Sequence, residues 1–110
     1  MTIRELYFQS SSASMPIDTL ELDSLMDELP QWEIQGLSIA YLVRDYKCTD
    51  FLTAMALAKK ITDLAELYNH HPELTIRWGK LSIKWWSHTA NGITNNDVYL
   101  AHQCDLINQD

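Results

Sequence analysis

The chain has 110 residues, the size of one domain, which excludes a second folded domain. With 46% hydrophobic and 21% charged residues, 3 Gly and 3 Pro, the composition is typical of a folded globule and excludes a collagen-like or disordered chain. Eight basic against fifteen acidic residues give a net charge of −7, which argues against autonomous binding to nucleic acid because that needs a basic surface.

Residues 1–14 differ in composition from the rest of the chain. They contain Leu-Tyr-Phe-Gln-Ser, which resembles the end of a viral-protease cleavage site used in expression tags, followed by a Ser-rich stretch. The Asn that such a tag carries between Glu5 and Leu6 is missing, so a native disordered leader is the alternative interpretation. We predict that the folded domain comprises residues 15–110.

Helical spacing of apolar residues predicts a first helix over residues 18–29. Leu22, Leu25, Met26 and Leu29 recur at intervals of three and four, and Pro30 ends the pattern. Residues 18–33 lack Lys and Arg, and their acidic residues indicate a solvated helix face. These acids are Asp18, Glu21, Asp23, Asp27, Glu28 and Glu33.

Alternating side chains predict two strands after this helix. Ile39, Tyr41 and Val43 alternate with their neighbours in a run rich in β-branched and aromatic residues, and Gly36 marks the preceding turn. We expect this strand to pair with a short one around residues 32–34.

A long helix follows, with Thr49 as its predicted N-cap. It ends by about His71, because Pro72 disfavours the helical conformation in the residue before it. Its predicted inward positions keep a spacing of three to four. They are Phe51, Ala54, Met55, Ala58, Ile61, Ala65 and Tyr68.

The last third of the chain predicts a β-hairpin and a final helix. Residues 74–78 and 81–86 alternate on either side of a tight turn predicted at Gly79 and Lys80. Thr94, with Asp97 three positions later, resembles a capping box. The helix that follows carries Val98, Leu100, Ala101 and Ile107 as its apolar positions.

The element order α-β-β-α-β-β-α predicts an α+β fold. Short hairpins join antiparallel strands, so we expect a four-stranded antiparallel sheet with three helices on one face. The other face, including Arg77 and Trp86, is then open to solvent or a partner.

The sequence shows no apolar run of the roughly 18 to 20 residues that span a bilayer and no recognisable signal peptide. Cys48 and Cys104 are 56 positions apart, without metal-ligand spacing, which suits a reducing compartment. We therefore expect a cytoplasmic protein.

Three histidines are the candidate catalytic residues: His70 and His71 at the end of the long helix and His88 after the last strand. The imidazole pKa near 6.5 lets these side chains exchange protons at neutral pH, which suits general acid and base catalysis. Glu66, four residues before His70, shares its helical face and is placed to orient the imidazole or to bind substrate.

Two other interpretations of the histidine pair remain open. Histidines at a helix C-terminus are favoured by the helix dipole and bind its last carbonyl groups. A zinc site is the second alternative, although adjacent histidines on a helix point about 100° apart and the chain has no HxH or HxxxH motif.

Residues 66–101 strongly resemble the bacterial branch of the pterin-4a-carbinolamine dehydratases. That family's pattern has Glu, three residues, His-His-Pro, a hairpin ending in Thr-His or Ser-His, then Gly-Leu-Thr, two residues, Asp and a final Ala. The resemblance extends over residues 20–107, with Ser87 and Ile93 as mild departures that are not proton-transfer groups. The matching positions are Glu66, His70, His71, Pro72, His88, Gly92, Thr94, Asp97 and Ala101.

The resemblance implies dehydration of a 4a-hydroxytetrahydropterin to quinonoid dihydropterin, which recycles the pterin of aromatic amino acid hydroxylases without a metal or organic cofactor. It implies that His70 and His88 are the principal acid and base and that His71 assists. The implied substrate-binding residues are Glu66, Asn69, Pro72, Trp86 and Ser87. For Trp86, and for Trp32, plain packing is the alternative.

The family also includes dimerisation cofactors of a transcription factor, so a non-catalytic dimerisation or regulatory module for a protein partner is the alternative function. The complete set of three histidines favours the enzyme. We expect a homodimer or homotetramer, because a core this small is marginal and a four-stranded sheet has two open edges. We expect a pterin substrate, a functional link to a hydroxylase, and no direct contact with nucleic acid or membrane.

Overall fold

A computed structural model of the chain describes Ile3 and residues 16–108. The predicted leader at residues 1–14 therefore lies outside the described residues, apart from Ile3. The seven predicted elements occur in the expected order. They are α1 (Thr19–Met26), β1 (Glu33–Gln35), β2 (Tyr41–Lys47), α2 (Phe51–Tyr68), β3 (Glu73–Arg77), β4 (Lys80–Trp85) and α3 (Asn95–Ile107).

The four strands form one antiparallel sheet in the order β1-β2-β4-β3. In its register Leu42 pairs with Trp85, and Leu74 with Ile83. Because alternate residues point to opposite faces, these side chains share one face of the sheet, and the helices pack there. The predicted α+β fold with three helices on one face of a four-stranded antiparallel sheet is confirmed.

The opposite face of the sheet, which we call the outer face, carries ion pairs. Lys84 lies 3.3 Å from Glu73, and Lys80 lies 3.7 Å from Asp45, in ion pairs open to water. Arg77, predicted to lie on this face, is exposed on β3. Such exposed pairs contribute little to stability, so the outer face is held by the core on its other side.

The buried stripe of α2 is displaced from the predicted one. Ala54, Ala58, Ile61 and Ala65 are buried as expected, but Phe51 and Met55 are 47% and 44% exposed. Residues on a helix are about 100° apart, so these two side chains lie roughly 80° to 120° around α2 from Ile61. The buried positions that replace them are Leu57 and Leu64.

The two ends of α2 also differ from the prediction. The N-cap is Asp50, not Thr49: its carboxylate accepts a hydrogen bond from the Thr53 N–H at 2.7 Å. The helix ends at Tyr68, because Asn69 adopts a left-handed conformation (φ 50°, ψ 44°) from which its N–H binds the carbonyls of the last turn. His70 and His71 thus follow the helix instead of ending it.

Two smaller boundaries shift as well. The hairpin turn is at Trp78 and Gly79, not Gly79 and Lys80, and Gly79 has the positive φ of 77° that glycine adopts without strain. α1 ends at Met26, and Leu29 is fully buried just beyond it.

Ile3, which the sequence pattern did not assign to the core, is 1% exposed, and its N–H donates to Glu28 Oε2 at 3.0 Å.

One carboxylate joins α3 to β2 and to the segment before β1. Asp105 on α3 accepts hydrogen bonds from the indole of Trp32 (3.0 Å), the guanidinium of Arg44 (2.6 Å) and the hydroxyl of Tyr46. Burial, with the neighbouring carboxylate, raises the pKa of the Tyr46 hydroxyl far above its usual range and keeps it a neutral donor. Trp32, 4% exposed, is therefore a packing residue.

Within the described part of the chain, no helix has the length and apolar character needed to cross a membrane.

Candidate active site

The three predicted catalytic histidines line one pocket, of about 210 Å³. This histidine pocket lies where the chain leaves α2 and where it leaves β4. Its lining residues are Asn69, His70, His71, Ser87, His88, Thr89 and Asn96.

His70 is held on three sides by the fold. Its backbone N–H donates to the Ala65 carbonyl at 3.1 Å, which binds it to the last turn of α2. Its ring stacks on Trp85 at the end of β4, with centroids 5.7 Å apart and planes 12° apart. Its Nε2 lies 2.7 Å from Oδ1 of Asp97, and only 16% of the side chain is exposed. A ring held in this way is pre-oriented before substrate binds.

Asp97 is a fully buried carboxylate in the first turn of α3. Its Oδ2 accepts the N–H of Thr94 at 2.8 Å, which confirms the predicted capping box, and the hydroxyl of Ser87 at 2.8 Å. Since the carboxylate oxygens accept hydrogen bonds, Nε2 of His70 must donate to Oδ1. In the neutral ring, Nδ1 of His70 then carries the lone pair.

Glu66 binds the other histidine of the pair. Its Oε2 contacts Nε2 of His71, and the two side chains are 67% and 55% exposed. The prediction that Glu66 orients His70 by sharing its helical face is therefore wrong. The left-handed turn at Asn69 removes His70 from the helical register and brings it to Asp97.

His88 follows β4 in a short loop and is exposed. The loop is closed by an isolated bridge, in which the Ser87 N–H donates to the Gly92 carbonyl at 2.9 Å. The His88 ring contacts the ring of Trp86, with centroids 4.9 Å apart and planes inclined by 50°.

The predicted substrate-binding residues divide between this pocket and its surroundings. Asn69 and Ser87 line the histidine pocket, although the Ser87 hydroxyl is already bound to Asp97. Trp86 lines a neighbouring, larger pocket of about 450 Å³ instead. The other two predicted binding residues, Glu66 and Pro72, are not in the lining of either.

Thr89 and Asn96 line the histidine pocket without having been predicted. Asn96 is 1% exposed. A polar residue in the first turn of a helix ordinarily indicates a solvated position, so only its burial in the fold could reveal it. No three His, Cys, Asp or Glu side chains among residues 16–108 converge as they would around a metal ion.

The sequence is similar to a known protein family and to curated bacterial proteins. The profile of the family described as "Pterin 4 alpha carbinolamine dehydratase" matches residues 15–107. A curated relative from Hahella chejuensis is 34% identical over 83% of this chain and 82% of its own length. Another, from Photobacterium profundum, is 35% identical over 94% of both chains. The names of both relatives assign them to the pterin-4-alpha-carbinolamine dehydratases.

Among solved structures, a protein from Brucella melitensis described as a transcriptional coactivator/pterin dehydratase matches with a TM-score of 0.76. It is 24% identical, and the match covers 84% of this chain and 97% of that one. At this identity the match supports the fold alone. The profile match, which covers nearly all the described residues, shows that the chain belongs to the pterin-4-alpha-carbinolamine dehydratase family.

Proposed function

We propose that this protein dehydrates a 4a-hydroxytetrahydropterin to quinonoid dihydropterin by histidine acid and base catalysis. The observation that carries the proposal is that three histidines line one pocket while a buried carboxylate holds one of them by Nε2. Family membership supports the same reaction.

The reaction needs one proton donor and one proton acceptor. The C4a–O bond breaks as the hydroxyl is protonated and leaves as water, the N5–H proton is removed, and a C4a–N5 double bond forms. The substrate loses water and no electrons, so the protein has to supply only positioned proton transfer.

His70 and His88 share these two roles, and His71 assists. Asp97 stabilises the imidazolium that forms when His70 takes a proton through Nδ1, because its Oδ1 already accepts the Nε2–H. His88, exposed at the rim of the pocket, can exchange its proton with solvent between turnovers. Asn69 and Asn96 offer polar contacts to the pterin ring.

The direct test follows quinonoid dihydropterin formation from freshly prepared 4a-hydroxytetrahydropterin. The carbinolamine also dehydrates spontaneously, so the control is a double variant, His70→Ala with His88→Ala, purified in the same way. We expect the native protein to accelerate the reaction in proportion to its concentration and the control not to do so. Equal rates with and without native protein would disprove the proposed function.

The proposed reaction also indicates which enzymes precede and follow this protein. Its substrate is released by aromatic amino acid hydroxylases, so we propose a functional link to such an enzyme in the cytoplasm. The product must then be reduced before the hydroxylase can use it again.

We also propose that copies of the chain associate, through α2 or through an open edge of the sheet. Exposed apolar residues on one flank of α2 favour this helix as the contact surface between chains. Leu52 is 78% exposed, and Phe51 and Met55 are nearly half exposed. All three catalytic histidines line a pocket formed within one chain, so association is not required to complete that pocket.

A further inference from the structure

We propose that the larger pocket beside the histidines binds an aromatic substituent on C6 of the pterin. We call it the tail pocket, and the residues that carry the argument are Leu37, Ile39, Tyr41, Glu73, Lys84 and Trp86. The inference rests on the proposed function, because it takes the histidine pocket as the place where the pterin ring reacts.

The tail pocket adjoins the histidine pocket through one pair of rings. Trp86 lines the tail pocket, His88 lines the histidine pocket, and their ring centroids are 4.9 Å apart. In a pterin, C6 is bonded directly to N5, the atom that loses its proton. A substituent on C6 therefore begins next to the histidines, and the tail pocket is the adjoining cavity into which it can extend.

The lining of the tail pocket is suited to an aromatic group. Tyr41 and Trp86 contact each other and form one aromatic wall, with centroids 6.2 Å apart and planes inclined by 55°. Aromatic rings prefer such offset or tilted contacts with one another. The loop between β1 and β2 adds Ile39, 39% exposed, and Leu37, whose side chain is entirely exposed. An aryl group in the pocket would cover apolar surface that water now contacts.

The size of the tail pocket also favours an aromatic substituent. It measures about 450 Å³, against about 210 Å³ for the histidine pocket. Pockets of about 300 to 1,000 Å³ accommodate groups as large as a drug molecule, so a three-carbon diol would leave most of this one filled with water. A benzoyl group fills it better.

Lys84 indicates which chemical group lies at the far end of the substituent. Its ammonium lies 4.8 Å from the Tyr41 ring centroid and 3.3 Å from Oε2 of Glu73, in a pair open to water. An exposed ion pair is weak, so Lys84 can take a second carboxylate from a ligand. The tail pocket therefore fits a p-aminobenzoyl group that ends in a carboxylate.

The test compares kcat/KM for 4a-hydroxytetrahydropterins that carry at C6 a methyl group, a dihydroxypropyl group or a p-aminobenzoylglutamate group. We expect kcat/KM to be at least tenfold higher for the aryl substrate than for the methyl substrate, mainly through a lower KM. Leu37→Ser and Tyr41→Ala should each reduce this ratio severalfold. Lys84→Gln should also reduce it, but should leave the ratio of the dihydroxypropyl to the methyl substrate unchanged, because neither of these carries a carboxylate.

Lys80→Gln is the matched control, since Lys80 lies on the same strand and face as Lys84 but outside the tail pocket. It should leave the ratio unchanged. A methyl substrate that is turned over as efficiently as the aryl substrate would overturn the inference and leave the proposed function standing.

A binding measurement separates the two proposals. Calorimetric titration with folic acid and with 6-methylpterin requires no turnover, and we expect folic acid to bind at least tenfold more tightly. If this preference appears but no substrate is dehydrated, the proposed function fails and the tail pocket stands. Equal affinity for the two probes would contradict the tail pocket.

Discussion

Asp97 shows how one residue can serve both the fold and the site. The Oδ2 atom of its carboxylate caps α3 and binds Ser87, and Oδ1 binds His70. The cap places the carboxylate, and the carboxylate places the imidazole. Residue-scale predictions therefore need controls that separate stability from proton transfer.

The first prediction concerns the three histidines. His70→Ala and His88→Ala should each lower turnover by about 10² to 10³, the scale expected when positioned proton transfer is lost. His71→Ala should do less, because its partner Glu66 is exposed and no buried group orients it. Circular dichroism would check that each variant folds. Wild-type rates in both of the first two variants would disprove the acid and base assignment.

The second prediction concerns Asp97 as a positioning residue. Asp97→Asn should lower kcat by at least tenfold with little change in KM and alter the shape of the pH–rate profile, because an amide cannot stabilise the imidazolium of His70. Thr94→Ala is the control: it removes a hydroxyl of the same cap at a cost of about 1 kcal/mol in stability. The control should retain the native pH profile. Identical profiles for all three proteins would leave Asp97 with a structural role only.

At the scale of elements, the contacts of Asp105 bind α3 to β2 and to the segment before β1. The donors come from residues far apart in sequence: Trp32, Arg44 and Tyr46. Removing the Asp105 carboxylate leaves these donors unsatisfied in a mostly buried place. The free-energy cost of unsatisfied buried donors exceeds the free energy that their pairing contributes to stability.

The third prediction follows from that asymmetry. Asp105→Ala should lower the free energy of unfolding by about 2 to 4 kcal/mol, measured by urea denaturation. Asp63→Ala is the matched control, because it breaks an ion pair to Lys59 whose side chains are 70% and 63% exposed. The control should leave the urea midpoint nearly unchanged. Equal midpoints for both variants would contradict the structural role of Asp105.

At the scale of the whole molecule, α2 has more apolar surface than the sheet can cover. One flank packs on the sheet, and Phe51, Leu52 and Met55 remain open to water on the other. A small domain gains stability when such a surface is buried between symmetric copies.

The fourth prediction is that this flank joins two or more chains in solution. Sedimentation at micromolar concentration should show a dimer or tetramer, and Met55→Lys should shift it toward the monomer. Lys60→Glu is the control, since Lys60 lies about 140° around the helix from Met55 and should not affect assembly. If Met55→Lys leaves the assembly intact, the edge strands are the remaining candidates. A fully active native monomer near 12 kDa would refute association itself.

The fifth prediction is that the reaction is independent of metal. His70 and His71 are bound to separate carboxylates, Asp97 and Glu66, instead of converging on one point. Dialysis against a chelator should leave turnover unchanged. A proportional loss that zinc restores would show that the histidines coordinate a metal.

The order and type of the elements could be predicted from the sequence. Period-two alternation in β2 and β4, the period of three to four in α2, and the Thr94–Asp97 pair are local signals that depend on neighbouring residues only. The histidine motif is local as well, so the identity of the candidate site could be predicted without knowing the fold. Element boundaries were harder to predict, because Asn69 acts through a left-handed backbone conformation that composition does not reveal, and because Thr49 and Asp50 are both residue types that cap helices.

Which side chains contact one another depends on the fold and could not be predicted from spacing along the chain. His70 and Asp97 are 27 positions apart, and their contact depends on the left-handed turn at Asn69 and on the packing of α3 against β4. The sequence also did not decide which side of α2 is buried, because the apolar residues of this helix cover a wider arc than one sheet can contact. Spacing along a chain defines which side chains share a helix face, but burial and pairing depend on the surface that another element presents to that face.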